Sequence, residues 1–217
     1  MSIRIEKIVG PSPSQWEAAI RGMRNPMNSW DKSDSGELII LPTEERSFDI
    51  GSADLELMKK LALAGSDHRK YLRMLPVVFD VTAPLYWWKE YDTYKVGTVA
   101  NSTSTMHKIH SKPFVREDFS CDRMSDVALW CLDQTIEVLE DRRRKFVETK
   151  DTEYWDDMIQ LLPSSFNQKR TLYVSYEALW NMYQARKNHK LLEWREFCSV
   201  IAWEVPYFKE IFGVYMT

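Results

Sequence analysis

The hydrophobic and polar positions of this chain follow two different periods, which predicts a mixed fold of strands and helices. Residues 2–8 alternate as a short strand does. Residues 75–83 are rich in β-branched and aromatic side chains, which predicts a second strand, and a third is predicted over 38–41. The polar, turn-rich stretch 25–35 is predicted to be a loop, and 163–175 a connector.

The longest amphipathic pattern predicts the main helix. From Met124 to Phe146 the apolar positions recur three and four residues apart. Ser52 is a suitable N-cap and Gly65 a suitable stop, which predicts a helix over 53–64. Five more helices are predicted, over 14–23, 84–91, 152–162, 176–187 and 191–205. Because no repeat or linker interrupts these elements, we expect residues 1–217 to form one domain.

Composition and charge narrow the functional classes. The net charge of −3 argues against general nucleic-acid binding, and the basic run 142–145 fits the solvated C-terminal half of the main helix. Three cysteines without a C-x-x-C pair indicate neither a disulfide framework nor a zinc site, and no metal site is predicted. The N-terminal residues lack the apolar core of a signal peptide, and no apolar run reaches about 20 residues. We therefore expect a soluble, cytoplasmic protein without membrane contact.

The segment from Trp87 to His110 is where we expect any active site. It joins an aromatic helix, begun by Pro84, to a polar loop over 93–107. That loop holds four Thr, two Ser, one Asn and one Gly in fifteen residues. Hydroxyl and backbone N–H groups at this density can hold a phosphate or the edge of a pyrimidine. The alternative is a turn-rich surface loop.

Two motifs in this segment carry a resemblance to a known family. Ala83-Pro84 and Trp88 open the aromatic helix, the sequence Asn-Ser-Thr-Ser-Thr-Met-His follows at 101–107, and eight residues separate Lys95 from Ser104. In order and spacing this resembles the flavin-dependent thymidylate synthases. Their signature is Arg-His-Arg followed, after seven or eight residues, by a Ser, and that Ser usually belongs to the sequence Asn-Glu-x-Ser-x-Arg-Tyr.

The likeness continues to the C-terminal end and covers about 57–212. Pro163 lies twelve residues before Ser175, and from Ser175 six residues lead to Asn181 and eleven to Arg186. These spacings are similar to those of the family's later flavin- and nucleotide-binding positions.

The resemblance implies a fold, a reaction and a set of site residues. The fold is α/β in the broad sense (α+β), a small, mostly antiparallel sheet flanked by long helices. The reaction is the reductive methylation of dUMP, or a related pyrimidine nucleotide, with FAD and methylenetetrahydrofolate in a homotetramer. The implied nucleotide-binding residues are Lys89, Glu90, Ser102, Ser104 and Arg186. The implied cofactor-binding residues are Tyr94, Lys95, Asn101, Ser175 and Asn181. No catalytic residue is assigned.

Several charged residues of the family's pattern are replaced here. Thr93-Tyr94-Lys95 stands where Arg-His-Arg is expected. Met74 stands where the family has a flavin-contacting His, and Ile159 where it has a nucleotide-binding Arg. In the loop, Ser102 replaces the family's Glu and Met106 replaces the Arg that follows the loop Ser. Each replacement removes a charge that an anionic ligand would use. Three hypotheses follow. The protein is a divergent enzyme, a non-catalytic protein that binds a nucleotide or flavin on the same scaffold, or a purely structural protein that binds neither ligand.

Two retained residues can also be interpreted without the family. Arg186 shares an apolar helix face with Leu179 and Met182, and a buried Arg needs a partner. That partner could be a bound phosphate or carboxylate, or a structural ion pair, for instance with Glu90. Ser104 could bind the substrate phosphate or be an ordinary loop or capping serine.

Overall fold

The computed structural model describes residues 3–40 and 45–214. Its strands are β1 Arg4–Val9, β2 Gly36–Ile40, β3 Glu45–Asp49, β4 Pro76–Pro84, β5 Thr98–Ser102 and β6 Asn167–Ser175. Its α-helices are α1 Pro13–Arg24, α2 Ser52–Leu63, α3 Leu85–Tyr91, α4 Asp126–Thr149, α5 Thr152–Leu161, α6 Tyr176–Arg186, α7 Leu192–Glu204 and α8 Phe208–Phe212. The predicted class, helices with a small antiparallel sheet, is confirmed.

Two compact units make up the described chain. The first unit comprises the residues up to Arg4 together with 80–93 and 100–171, and the second comprises 5–79, 94–99 and the residues from 172 on. The prediction that residues 1–217 form one domain stays a prediction. None of the helices among the described residues has the length and apolar composition that a membrane crossing requires.

The main sheet has the strand order β1-β4-β6-β5, and β2 pairs with β3 in a separate antiparallel hairpin. In the first unit, the amide of Leu85 donates to the carbonyl of Phe166 and the amide of Thr103 to that of Lys169, each at 2.9 Å. In the second unit, the amide of Tyr176 donates to the carbonyl of Leu75 and the amide of Ser175 to that of Gly97, each at 3.0 Å. The residue numbers therefore fall along one strand as they rise along its neighbour, so β6 runs antiparallel to both β4 and β5.

Helices α4 and α5 pack together in the first unit over an apolar cluster. Its buried members are Ile109, Phe114, Phe119, Leu132, Leu139, Met158 and Phe166. Trp87 and Trp88 of α3 are also buried. The Trp88 indole N–H donates to the carbonyls of Ala83 at 2.9 Å and Gln168 at 3.0 Å, which fixes α3 to the strands on either side.

Aromatic rings fill the core of the second unit. The Trp16 ring meets those of Tyr176 and Tyr207 edge-on, and Trp180 stacks on Phe212 with ring centroids 4.2 Å apart. The unusually high aromatic content of the sequence is thus used in packing.

A buried ion pair lies beside this core. The Arg24 guanidinium donates to the Asp54 carboxylate at 2.6 Å, and the side chains are 4% and 0% exposed. The carboxylate also accepts hydrogen bonds from Ser33, Ser35 and two backbone amides, so it holds the loop that precedes β2.

The structure differs from the prediction in several places. Strand β3 and helix α8 are absent from the predicted elements, and Pro84 ends β4 and is the N-cap of α3 rather than its first residue. Residues 98–102 of the predicted polar loop form β5, and 167–175 of the predicted connector form β6. Neither strand shows a clear apolar alternation, because β5 is mostly exposed and β6 begins with Asn-Gln-Lys-Arg. Helix α2 starts at Ser52 with Gly51 as its N-cap. The strand predicted over 38–41 is β2, and residue 41 lies outside the described residues.

Candidate functional site

Ser104, the predicted phosphate-binding residue of the loop, lies at a corner of the first unit just after β5. Its side-chain oxygen accepts the backbone N–H groups of His107 at 2.9 Å and Met106 at 3.3 Å. The hydroxyl therefore caps a turn and can still donate its proton to a ligand. The ordinary loop role and the binding role are compatible at this residue.

Hydrogen bonds to β6 fix this corner. The Thr103 carbonyl accepts from the buried Gln168 amide at 2.7 Å, and the Thr103 amide donates to the Lys169 carbonyl. On the other side of Ser104, the Trp155 indole donates to the Met106 carbonyl at 3.1 Å. Since the backbone is tied down on both sides, little conformational entropy is lost when a ligand binds here.

A cleft of about 860 Å³ opens beside Ser104 within the first unit. Its lining is polar and cationic, with an apolar floor. The lining residues are Arg4, Thr82, Thr103, Ser104, Lys108, Ile109, Ser111, Lys112, Glu117, Asp118, Phe166, Asn167 and Lys169. Volumes of roughly 300–1,000 Å³ are typical of small-molecule sites.

The other predicted residues of the first unit lie on α3 and β5. Lys89 and Glu90 occupy the last turn of α3, where Lys89 is exposed and Glu90 half-buried. Asn101 and Ser102 are exposed at the end of β5, directly before the turn that contains Ser104. Their side chains are accessible to a ligand, and their binding roles stay predictions.

In the second unit the structure brings together two predicted residues, Tyr94 and Arg186. The Arg186 Nε donates to the Tyr94 hydroxyl at 3.0 Å, and the guanidinium lies 4.9 Å from the Trp194 ring centroid. A third contact joins Arg186 Nη1 to the His189 ring at 3.0 Å. Stacking and hydrogen bonding together hold the planar guanidinium in one orientation. The predicted placement of Arg186 on the apolar side of α6 is confirmed, as a half-buried residue.

Ser175, the last residue of β6, and Asn181 of α6 occupy different environments. Ser175 is buried, and its side chain accepts the Ala178 amide at 3.3 Å as the N-cap of the helix. Asn181 is exposed, and its amide oxygen accepts from Arg69 at 3.1 Å. Lys95 is exposed as well. The cofactor-binding roles of these residues stay predictions.

A charged cluster flanks Asn181, and the sequence analysis missed it. The buried Glu177 carboxylate accepts from both Arg69, at 3.2 Å, and Arg73. Burial raises the pKa of Glu177, but hydrogen bonds from Arg73 and Arg69 outweigh burial and hold that pKa below its usual value. Both arginines share the Glu177 carboxylate, and the charge of Asp67 acts on Arg73 as well.

The cations of the cleft were missed for a different reason. The four cations come from three separate segments of the chain, with Arg4 in the first, Lys108 and Lys112 in the second and Lys169 in the third. No local motif joins them beyond the i, i+4 spacing of 108 and 112. For 69 and 73, the same i, i+4 spacing of two arginines was the available signal.

Comparison with known proteins places this fold. Neither a protein-family model nor a curated protein sequence matches the chain. Among solved structures, the flavin-dependent thymidylate synthase ThyX from Helicobacter pylori complexed with FAD and dUMP matches with a TM-score of 0.65 and 15% identity, over 97% of this chain and 96% of that one. A second structure of that enzyme with FAD and dUMP gives the same TM-score and identity, over 97% and 95%. This chain therefore has the fold of the flavin-dependent thymidylate synthases.

Proposed function

We propose that this protein is a divergent flavin-dependent thymidylate synthase-like enzyme. It binds dUMP or a related pyrimidine nucleotide and methylates it reductively, with FAD and methylenetetrahydrofolate as cofactor and one-carbon donor. The observation that carries the proposal is the end-to-end match in fold to ThyX complexed with FAD and dUMP. A homotetramer is part of the proposal, and light scattering on the purified protein tests it.

Arg186 is the residue that we propose binds the nucleotide phosphate in the second unit. A guanidinium offers paired N–H donors that match two phosphate oxygens. The Tyr94 hydroxyl and the Trp194 ring already hold that guanidinium in place. Little side-chain entropy is then lost on binding, which favours affinity. We further propose that Ser104, Ser102, Lys89 and Glu90 of the first unit contact the nucleotide.

The residues around Asn181 fit a flavin. FAD carries a diphosphate, which needs cations, and a ring edge that exchanges hydrogen bonds. The second unit offers the exposed amide of Asn181 beside the guanidinium groups of Arg69 and Arg73, and Lys95 is an exposed cation. When bound, the flavin supplies the hydride. The protein's own contribution is to bind, orient and neutralise charge, with Tyr94, Asn101 and Ser175 as further proposed contacts.

A non-catalytic nucleotide-binding protein is the second candidate, and two observations favour it. Ser175 is buried and caps α6, so its side chain is already used within the protein. The Tyr94 side chain is also used, because its hydroxyl accepts from Arg186 Nε and its ring lies against the guanidinium. A chain built this way can keep nucleotide binding after losing the flavin.

The test compares Arg186→Ala with a matched control, Arg195→Ala, at an exposed position of α7. dUMP binding is measured by calorimetry, and release of tritium from C5-labelled dUMP is measured with FAD and methylenetetrahydrofolate. We expect Arg186→Ala to weaken dUMP binding by roughly 10- to 100-fold, the contribution of a charge-assisted hydrogen bond. The control should bind as the unmodified protein does.

The outcomes separate the two candidates. Flavin-dependent tritium release supports the enzyme, whereas dUMP binding without release supports the non-catalytic protein. If dUMP does not bind at millimolar concentration, or binds equally well to Arg186→Ala, the proposed site is wrong.

A further inference from the structure

A second pocket of the first unit, of about 390 Å³, shares no lining residue with the cleft beside Ser104. It lies between the segment that precedes α4 and the segment that precedes β6, beside the first turn of α3. None of the residues that we propose to bind the nucleotide or the flavin lines it. Six of its lining residues can react with or bind a ligand: Tyr86, Cys121, Asp122, Arg123, Ser164 and Ser165.

Hydrogen bonds hold the walls of this pocket in place. The Ser120 amide donates to the Ser165 carbonyl at 2.8 Å, and the Tyr86 amide donates to the Ser164 carbonyl at 3.0 Å. The Ser120 hydroxyl donates to the amide oxygen of the Asn167 side chain at 2.8 Å. Because the two segments are joined to each other and to α3, the pocket is formed before a ligand binds, which limits the entropy lost on binding.

The Ser165 hydroxyl is a buried polar group at the wall of the pocket. Ser165 is only 7% exposed. Its carbonyl accepts from Ser120, but within residues 3–40 and 45–214 its hydroxyl has no hydrogen-bond partner. Buried hydroxyls are normally hydrogen-bonded, since burial removes the bonds that they form with water. A ligand in the pocket can supply the bond that the protein leaves open.

Cys121 is the reactive group of this pocket. It is a free, half-buried cysteine that lines the pocket and also packs against the apolar cluster under α4 and α5. The other two cysteines have different surroundings, since Cys131 is exposed on α4 and Cys198 is buried in the second unit. A thiol at the wall of a pocket can form a covalent bond with a ligand that the pocket holds.

The charges and hydroxyls of the lining suit a short peptide. Asp122 and Arg123 are exposed lining residues of opposite charge. A guanidinium binds a carboxylate, and a carboxylate binds an ammonium group, so this pair fits a ligand that carries both. The Ser164 and Ser165 hydroxyls can bond with peptide groups. A volume of roughly 300–1,000 Å³ is typical of small-molecule sites, and this pocket lies within that range.

We propose that this pocket is a modification site at which Cys121 forms a mixed disulfide with a short cysteine peptide. The Cys121 thiolate attacks one sulfur of the peptide's disulfide, a bond forms between Cys121 Sγ and that sulfur, and the original S–S bond breaks. The second peptide leaves as a thiolate and takes up a proton in place of the one that Cys121 released. The peptide disulfide is the oxidant. The site goes beyond the proposed function because it requires neither the nucleotide nor the flavin.

Oxidised glutathione is the probe, and hydroxyethyl disulfide, which has no charged group, is the reference. The three cysteines lie on three different tryptic peptides, because arginines separate them in the sequence, so mass spectrometry gives the rate at each. The ratio of the Cys121 rate to the Cys131 rate should be about tenfold larger with oxidised glutathione than with the reference. Comparing the two disulfides cancels the difference in reactivity and exposure between the two thiols.

Variants in a Cys131→Ser background identify the groups that bind the peptide, with the intact mass of the protein as the measurement. Arg123→Gln and Ser165→Ala should each slow the addition of glutathione about three- to tenfold, the effect of one hydrogen bond. Both should leave the rate with hydroxyethyl disulfide unchanged. Arg144→Gln removes a charge near the other end of α4, from a side chain that is 74% exposed, and is the matched control. Circular dichroism and a melting curve establish that each variant is folded.

Three results would overturn the assignment. They are the same ratio of Cys121 to Cys131 rates with both disulfides, no glutathione adduct at Cys121, and unchanged glutathione rates in the folded Arg123→Gln and Ser165→Ala variants. The experiment contains neither dUMP nor FAD, so its result is independent of the proposed function.

Discussion

Replacing Asp54 by asparagine should destabilise the protein by about 3 to 5 kcal/mol, the usual cost of breaking a buried ion pair. The variant keeps the shape of the side chain but removes its charge, and Arg24 is then left buried without a counter-ion. The asparagine N–H₂ group also faces donors, since Ser33 and Ser35 donate to Asp54 at 2.7 Å. These donors lose an acceptor, and the Arg24 guanidinium beside them stays buried.

Urea unfolding followed by circular dichroism measures this change. Glu17→Gln is the matched control, because Glu17 pairs with Arg21 of the same helix as Arg24 while both side chains are more than 60% exposed. Surface substitutions of this kind usually change the free energy of unfolding by no more than about 0.5 kcal/mol. A loss of about 3 kcal/mol corresponds to a melting temperature roughly 6 to 12 °C lower for a chain of this size.

The pH dependence provides a second check on Asp54. Burial raises the pKa of Asp54, but hydrogen bonds from Ser33, Ser35 and Arg24 outweigh burial and lower it. A lowered carboxyl pKa stabilises the fold above the unfolded value of about 3.9 and ceases to do so as the pH falls through the folded value. The gap in stability between the unmodified protein and Asp54→Asn should therefore shrink in acid. A loss below 1 kcal/mol at pH 7, or a gap that is constant with pH, would refute this reasoning.

Three more predictions concern single residues. Gly97→Ala should lower the free energy of unfolding in urea by about 2 kcal/mol, because Gly97 has φ +74° and a Cβ there would lie 2.8 Å from the Ser175 side-chain oxygen. An unchanged free energy of unfolding would contradict this geometry. Glu140→Gln should lower stability by about 1 to 2 kcal/mol at pH 7 and less near pH 2, because hydrogen bonds from Arg143, the Phe114 amide and Arg144 lower the Glu140 pKa to about 2. Equal losses at both pH values would count against it. A thiol reagent at pH 8 should label the exposed Cys131 in the folded protein well before Cys198, because burial raises the pKa of the Cys198 thiol to about 12; labelling at equal rates would be inconsistent with this burial.

The sequence predicts the helices better than the strands, and the reason is physical. Helix α4 is evident because its apolar positions recur over more than twenty residues, and Leu132 and Leu139 are indeed buried. Strand β6 shows no apolar alternation in the sequence, because its buried positions include the polar Gln168. That glutamine is satisfied by the Thr103 carbonyl, a partner sixty-five residues away that no local window contains.

Some features of the candidate site can likewise be predicted from the sequence, and others cannot. The half-buried position of Arg186 follows from helical spacing within one element. Its stacking on Tyr94 and Trp194 does not, because one partner lies ninety-two residues earlier in the chain and the other on α7. The sequence places Asp54 in the first turn of α2, where an acidic residue favours the helix dipole. Its second role, as the buried partner of Arg24, becomes visible only in the folded chain.

The most direct test of the central claim is a titration of the purified protein with FAD, followed by absorbance and fluorescence, with and without dUMP. If the ligand site of this fold survives its altered signature, FAD should bind saturably and its spectrum should change when dUMP is added. Absence of FAD binding in both conditions would contradict the proposed enzyme, and the protein would then have kept the fold without its flavin chemistry.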